Sequence, residues 1–117
     1  MIIAIDFDGT IVRDMYPGIG IMQPYAKQVI NRIHAEGHYI IIWSCRTGNM
    51  LLDAVNYLLA SGICFDRVND HEPDNASRYD GVGKKIHADI YIDDKNLGGF
   101  PGWKEVERLM FPGDDLS

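Results

Sequence analysis

Four short apolar runs punctuate the chain: Met1–Ile5, Tyr39–Trp43, Ile63–Val68 and Ala88–Ile92. The first, second and fourth are rich in isoleucine and barely alternate with polar residues. That is the pattern of strands buried on both faces of a parallel sheet. The third run is the weakest, because Asp66 and Arg67 interrupt it. Between the runs the spacing turns helical. Pro24 stands at a first helical position and Gly37 at a C-terminal cap, with Tyr25, Val29, Ile30 and Ile33 as one stripe between them. A second helix is predicted to begin near Thr47–Asn49 and stop at Gly62, burying Leu51, Leu52, Val55, Leu58 and Leu59. A short last helix follows Pro101, from Trp103 to Met110. This alternation predicts one three-layer α/β domain over residues 1–110, with a frayed tail over 111–117. Residues 11–23, with two glycines and a proline, read as a short hairpin, and residues 69–84 as a polar loop.

At 117 residues the chain is one compact unit, able to bury enough surface to fold without disulfides or structural zinc. Cys45 and Cys64 have no metal-ligand spacing and read as free thiols of a reducing compartment, so the cytoplasm is the expected location. No apolar stretch is long enough to span a membrane. The net charge is −6 with no basic run, which argues against a nucleic-acid partner. The acids are lopsided, 13 Asp against 4 Glu. Aspartate suits loops, caps and hard-metal sites better than helix faces, so the bias places acids at the ends of elements.

Four groups of residues carry chemistry. The first strand runs into Asp6-Phe7-Asp8-Gly9-Thr10, delivering two carboxylates where parallel sheets bind ligands, beyond the strands' carboxyl ends. Two turn-forming aspartates would be the bland reading, but a buried strand leading directly into DFDGT favours a site. The second strand is followed by Ser44-Cys45-Arg46. A strand-end hydroxyl can hydrogen-bond a phosphoryl oxygen, although alone it is better read as a helix cap. Lys84-Lys85 precedes the fourth group, a strand ending in Asp93-Asp94. Alone, the lysines would be a solvated pair and the aspartates a turn.

In combination and in this order, DFDGT, Ser44, Lys85 and the Asp93-Asp94 strand end resemble the four motifs of the haloacid dehalogenase (HAD) superfamily. The resemblance covers Ile2 to about Asn96. It implies a magnesium-dependent phosphatase, a hydrolase of phosphate monoesters acting through an aspartyl-phosphate. Asp6 would be the nucleophile and Asp8 the general acid/base. Thr10 would shape the turn and lie among the substrate-binding residues with Ser44, Arg46 and Lys85. Asp6, Asp8 (through its carbonyl), Asp93 and Asp94 would hold Mg2+, with Asp94 acting directly or through water. Lys85 is preferred over Lys84 as the motif lysine on its spacing to the acidic pair. If Asp6 and Asp93 share an ion their strands are neighbours, and if Ser44 reaches the same phosphate its strand flanks the first. The implied fold is therefore a Rossmann-like, HAD-like parallel sheet in the order 3-2-1-4.

Residues 11–23 are too few for the cap domain many such enzymes carry, so a capless, open site is expected, taking a small phosphorylated metabolite or sugar. The hairpin holds Met15, Tyr16, Ile19, Ile21 and Met22, an apolar set that suggests homo-oligomerisation through residues 14–22. Arg46, two residues past Ser44, could grip phosphate; His71, Asn75, Arg78 and Asn49 read better as solvated loop residues. His34 and His38 are separated by the helix end at Gly37 and do not read as ligands. The alternative is a receiver-like module, with Asp66 the one acid inside a middle strand, or a degenerate HAD domain that binds phosphate without efficient turnover.

Overall fold

A computed structural model of the chain describes residues 1–70 and 87–113. Four parallel strands, β1 (Ile2–Asp6), β2 (Tyr39–Trp43), β3 (Arg67–Val68) and β4 (Ile90–Ile92), form one sheet in the order β3-β2-β1-β4. Three helices accompany it among the described residues: α1 (Ala26–Ala35), α2 (Gly48–Ser61) and α3 (Trp103–Met110). This is a small α/β domain with the expected strand order and a Rossmann-like arrangement. No helix is long and apolar enough to cross a membrane among the described residues.

Register explains the layers. Ile3 pairs with Ile40 and Ile90, and Ile5 with Ile42 and Ile92. Because alternate residues of a strand share a face, these six point one way. They meet Val29, Ile30 and Ile33 of α1, Ala54 and Leu58 of α2, and Trp103 and Val106 of α3 in one apolar cluster. Ala4 and Ile41, opposite each other in the register, are buried on the other face. The described helices all join the first face, so the expected third layer is not seen among the described residues.

The weak third run contributes only Arg67–Val68 to the sheet. Asp66, just before it, turns its carboxylate back to accept the Ile40 amide at 2.8 Å. Helix α1 starts two residues after Pro24, because Tyr25 holds a left-handed conformation (φ 65°) and caps the helix from outside. Tyr25 is 50% exposed, and Ala26 takes its place in the buried stripe with Val29, Ile30 and Ile33. Helix α2 keeps its expected bounds, closed by Gly62 at φ 78°. Its buried face differs: Ala54 and Leu58 point inward, whereas Leu52 and Leu59 are 54% and 63% exposed. Phe111 is not part of a frayed end; it packs on the core with the Arg32 guanidinium 4.0 Å above its ring.

The hairpin forms. Val12 bridges Met22, the Arg13 amide donates to Ile21, and the Gln23 amide donates to Ile11. Ile19 and Met22 pack inward, leaving Met15, Tyr16 and Ile21 exposed.

Truncation separates the two α2 faces. Leu58→Ala should cost about 3 kcal/mol by removing a fully enclosed side chain, and Leu59→Ala less than about 0.5 kcal/mol. Urea unfolding of both variants measures the difference, and equal losses would place the buried face elsewhere.

Candidate active site

Strands β1, β2 and β4 run parallel, so Asp6, Ser44, Asp93 and Asp94 emerge at one end of the sheet. The turn after β1 is wound tightly: the amides of Thr10, Ile11 and Val12 all donate to the Phe7 carbonyl. Gly9 adopts φ 85°, and a Cβ there would collide with the Asp94 carboxylate. Glycine therefore serves both the backbone conformation and the close approach of the β4 acid to the β1 turn.

Asp6 and Asp94 face each other. The pKa of Asp6 is raised from 3.8 to about 7, first by burial and then by the Asp94 charge, with Asp93 contributing less; the Phe7 amide opposes the rise. Asp94 Oδ1 is buried without a hydrogen-bond partner. Asp93 instead turns Oδ1 to the Lys95 amide at 2.8 Å. Asp94, rather than Asp93, is thus the nearer partner of the expected nucleophile.

Among the described residues no group of three or more His, Cys, Asp or Glu side chains is spaced to hold a metal. The arrangement is a pair: two facing carboxylates and one orphaned buried oxygen. Magnesium uses one or two carboxylates and completes its shell with water and substrate oxygens, so the pair fits that ion.

Asp8 and Arg46 stand differently from expectation. Arg46 is 1% exposed. Its Nε and Nη2 donate to the two Asp8 oxygens at 2.7 and 2.8 Å. Nη2 also reaches the Gly18 carbonyl, and Nη1 the carbonyls of Pro17 and Met50. The guanidinium lies 5.4 Å from the Phe7 ring centroid and 5.1 Å from that of Tyr16. The expectation that Arg46 grips phosphate is therefore corrected: its donors are spent inside the protein. The Asp8 side chain, expected as the general acid/base, is likewise committed to Arg46. Thr10 is fully enclosed, its hydroxyl 3.5 Å from Asp6 Oδ2 and its carbonyl accepting the Trp103 indole N–H at 2.9 Å. Thr10, expected among the substrate-binding residues, is enclosed and faces Asp6 and Trp103 in this structure.

Ser44 is buried at the β2 terminus, where its oxygen accepts the Arg46 amide at 3.1 Å. Asn69, left-handed at φ 52°, clasps the Ser44 backbone: its Oδ1 accepts the amide at 2.7 Å and its Nδ2 donates to the carbonyl at 2.9 Å. Asparagine tolerates that conformation better than other residues with side chains. Sequence reasoning did not select Asn69, since one polar residue in a polar loop carries no signal of such a clasp. Nor did it select Lys95, whose Nζ lies 4.0 Å from Asp94 Oδ2. Lys95 lines a pocket of about 410 Å3 with Asp6, Cys45 and Asp93, between Trp43 and Tyr91. Lys84, Lys85, His71, Asn75 and Arg78 lie outside the described residues.

A conserved protein of Bacteroides thetaiotaomicron shares 38% identity over 94% of this chain and 88% of its own, with a TM-score of 0.84. The chain belongs to the family of that conserved protein. A chain of the Pnkp1/Rnl/Hen1 RNA repair complex matches 80% of this chain with 36% of its own length, at 20% identity and a TM-score of 0.55, and shares the fold alone. No model of a known protein family matches the sequence, and no curated protein matches it.

Two outcomes follow from the charges. A carboxyl with a raised pKa holds in the fold a proton that the unfolded chain has already released. Stability therefore falls as pH rises from 3.8 to about 7, and the full penalty stands above that. Asp6→Asn should raise the Tm by several degrees at pH 8 without divalent cations, with the gain vanishing near pH 4. Thermal unfolding followed by circular dichroism across that range measures it; a gain independent of pH would contradict the burial and repulsion at Asp6. Arg46→Met should cost about 3–5 kcal/mol, because it strands Asp8 beside the core. Urea unfolding reads that loss, and a cost below about 1 kcal/mol would mean that Asp8 finds other partners or water.

Proposed function

We propose that the chain is a magnesium-dependent phosphomonoester hydrolase of the HAD superfamily, with Asp6 as the nucleophile. The observation that carries this reading is the Asp6–Asp94 pair at the ends of adjacent parallel strands, with Ser44 at the next strand end. Two carboxylates left facing each other, one with an orphaned buried oxygen, form a site that a divalent cation would complete.

Asp6 and Asp94 would hold the ion, with Asp93 and the Asp8 carbonyl completing the protein's share. When bound, Mg2+ would supply the positive charge that offsets the repulsion between Asp6 and an anionic phosphoryl group. Asp6 attacks phosphorus, the ester P–O bond breaks, and the alcohol departs from an aspartyl-phosphate; water then attacks phosphorus, releasing phosphate and restoring Asp6. Thr10 orients the Asp6 carboxylate through its hydroxyl. The Ser44 oxygen accepts from Arg46 yet keeps its own hydrogen to donate to a phosphoryl oxygen, and Asn69 fixes its backbone. Proton transfer at Asp8, to the leaving oxygen and from the attacking water, requires that one of its oxygens leave Arg46. Lys85 supplies further positive charge on this reading, by its place in the sequence.

The receiver-like alternative loses ground at Asp66. That carboxylate is bonded to the Ile40 amide and lies near His34, toward the start of β2 rather than beyond its end.

Phosphate release from p-nitrophenyl phosphate and a panel of phosphometabolites should require Mg2+ and vanish with EDTA. Asp6→Asn should lower turnover at least about 1,000-fold while circular dichroism stays unchanged. A folded Asp6→Asn protein retaining substantial activity would remove Asp6 as nucleophile.

A further inference from the structure

We propose that a cleft of about 600 Å3 beside Asp94 binds the leaving group of the substrate, and that this group carries a planar ring. The proposal rests on the phosphoryl-transfer reading of the site. Gly9 and Asp94 form one side of the cleft, so it adjoins the turn and the acid pair. Its other walls come from two distant segments: Gln23 and Tyr25 before α1, and Phe100 and Lys104 around the start of α3. A phosphoryl group fills a small fraction of such a volume, which lies in the range of small-molecule sites.

The chemistry of the walls selects the occupant. Tyr25 is half exposed, and Lys104 Nζ lies 4.9 Å from its ring centroid. Phe100 packs edge-on against Trp103 with ring centroids 5.3 Å apart, so its position is fixed from behind. Aromatic walls favour flat π-systems over aliphatic chains. Gln23 can donate and accept hydrogen bonds, and Lys104 can donate, at the polar edge of a ring. Tyr25 also holds φ 65°, an outlier for a bulky residue. Such strain is kept where the surroundings over-determine it, commonly at ligand sites. A glycine or asparagine would satisfy the backbone at lower cost, but neither offers a ring.

Phenylphosphonate and methylphosphonate, which cannot be hydrolysed at the P–C bond, separate the ring from the anion. With Mg2+ present, the phenyl compound should bind wild-type protein about tenfold more tightly, the effect of one stacked ring. It should also shift the indole N–H resonance of Trp103 and leave that of Trp43, in the other pocket, in place. Tyr25→Asn, which retains the left-handed backbone, and Phe100→Leu should reduce the preference to about threefold or less. They should raise KM for p-nitrophenyl phosphate about fivefold with KM for glycerol phosphate unchanged. Equal affinity for the two phosphonates, or a shift confined to Trp43, overturns the proposal. Cyclohexylphosphonate binding as tightly as the phenyl compound overturns the planar requirement. If a variant does not fold, the wild-type comparison decides. If no phosphate ester is turned over, the proposed reaction fails while the phosphonate comparison still tests the cleft.

Discussion

A guanidinium that is 1% exposed survives in a folded chain only if its charge and all five donors are answered. Arg46 meets this condition by drawing on three parts of the molecule at once. Asp8 supplies the countercharge from the turn after β1, the Pro17 and Gly18 carbonyls come from the hairpin, and the Met50 carbonyl from the first turn of α2. Each of these segments would be a surface loop or helix end alone. The shared cation forces them together over the strand ends and fixes where the turn after Asp6 sits. Bidentate pairing adds direction as well as energy, which a lysine at this position could not supply.

The aspartates divide by the end of the sheet they occupy. Asp66 and Asp89 accept backbone amides near the starts of β2 and β1, from Ile40 at 2.8 Å and Ile2 at 2.7 Å. They satisfy donors that the sheet leaves over, a structural task. At the other end Asp8 is neutralised by Arg46, whereas Asp6 and Asp94 confront each other with one buried oxygen unmatched. Among the described residues Asp94 Oδ1 is the buried side-chain oxygen left without a partner, and that exception directs functional attention to its pair with Asp6 more firmly than the count of acids does.

The isoleucine-rich runs made β1, β2 and β4 legible, since burial on both faces removes alternation and leaves few other readings. Strand order followed from the expected chemistry: carboxylates sharing one ion, and a hydroxyl reaching the same phosphate, would require adjacent strands. The inward face of α2 was only partly legible: leucines 51, 52, 58 and 59 fall in one stripe about 120° wide, and packing turns inward only its Leu58 edge together with Ala54, leaving Leu52 and Leu59 outside. Arg46 was read as a phosphate ligand because its distance from Ser44 is visible in sequence. Its partner Asp8 lies 38 residues away, and the carbonyls of Pro17 and Gly18 have no residue-type signature at all. Tyr25 was assigned to the core for a similar reason: apolar spacing does not reveal a left-handed backbone that swings the ring outward.

Gly9 shows how the two acidic motifs became one site. Its φ of 85° needs glycine for conformational reasons, and the Asp94 carboxylate fills the space any side chain would take. Even a residue that tolerated the backbone would therefore push Asp94 away from Asp6. The glycine of DFDGT and the second aspartate of the β4 strand end are 85 residues apart in sequence, yet each limits what can occupy the other's position. Thr10 extends the same coupling on its other side, since its hydroxyl meets Asp6 while its carbonyl is held by Trp103 of α3. The geometry of the carboxylate pair is thereby tied to the packing of the last helix, and a loosening of α3 would be felt first at Asp6.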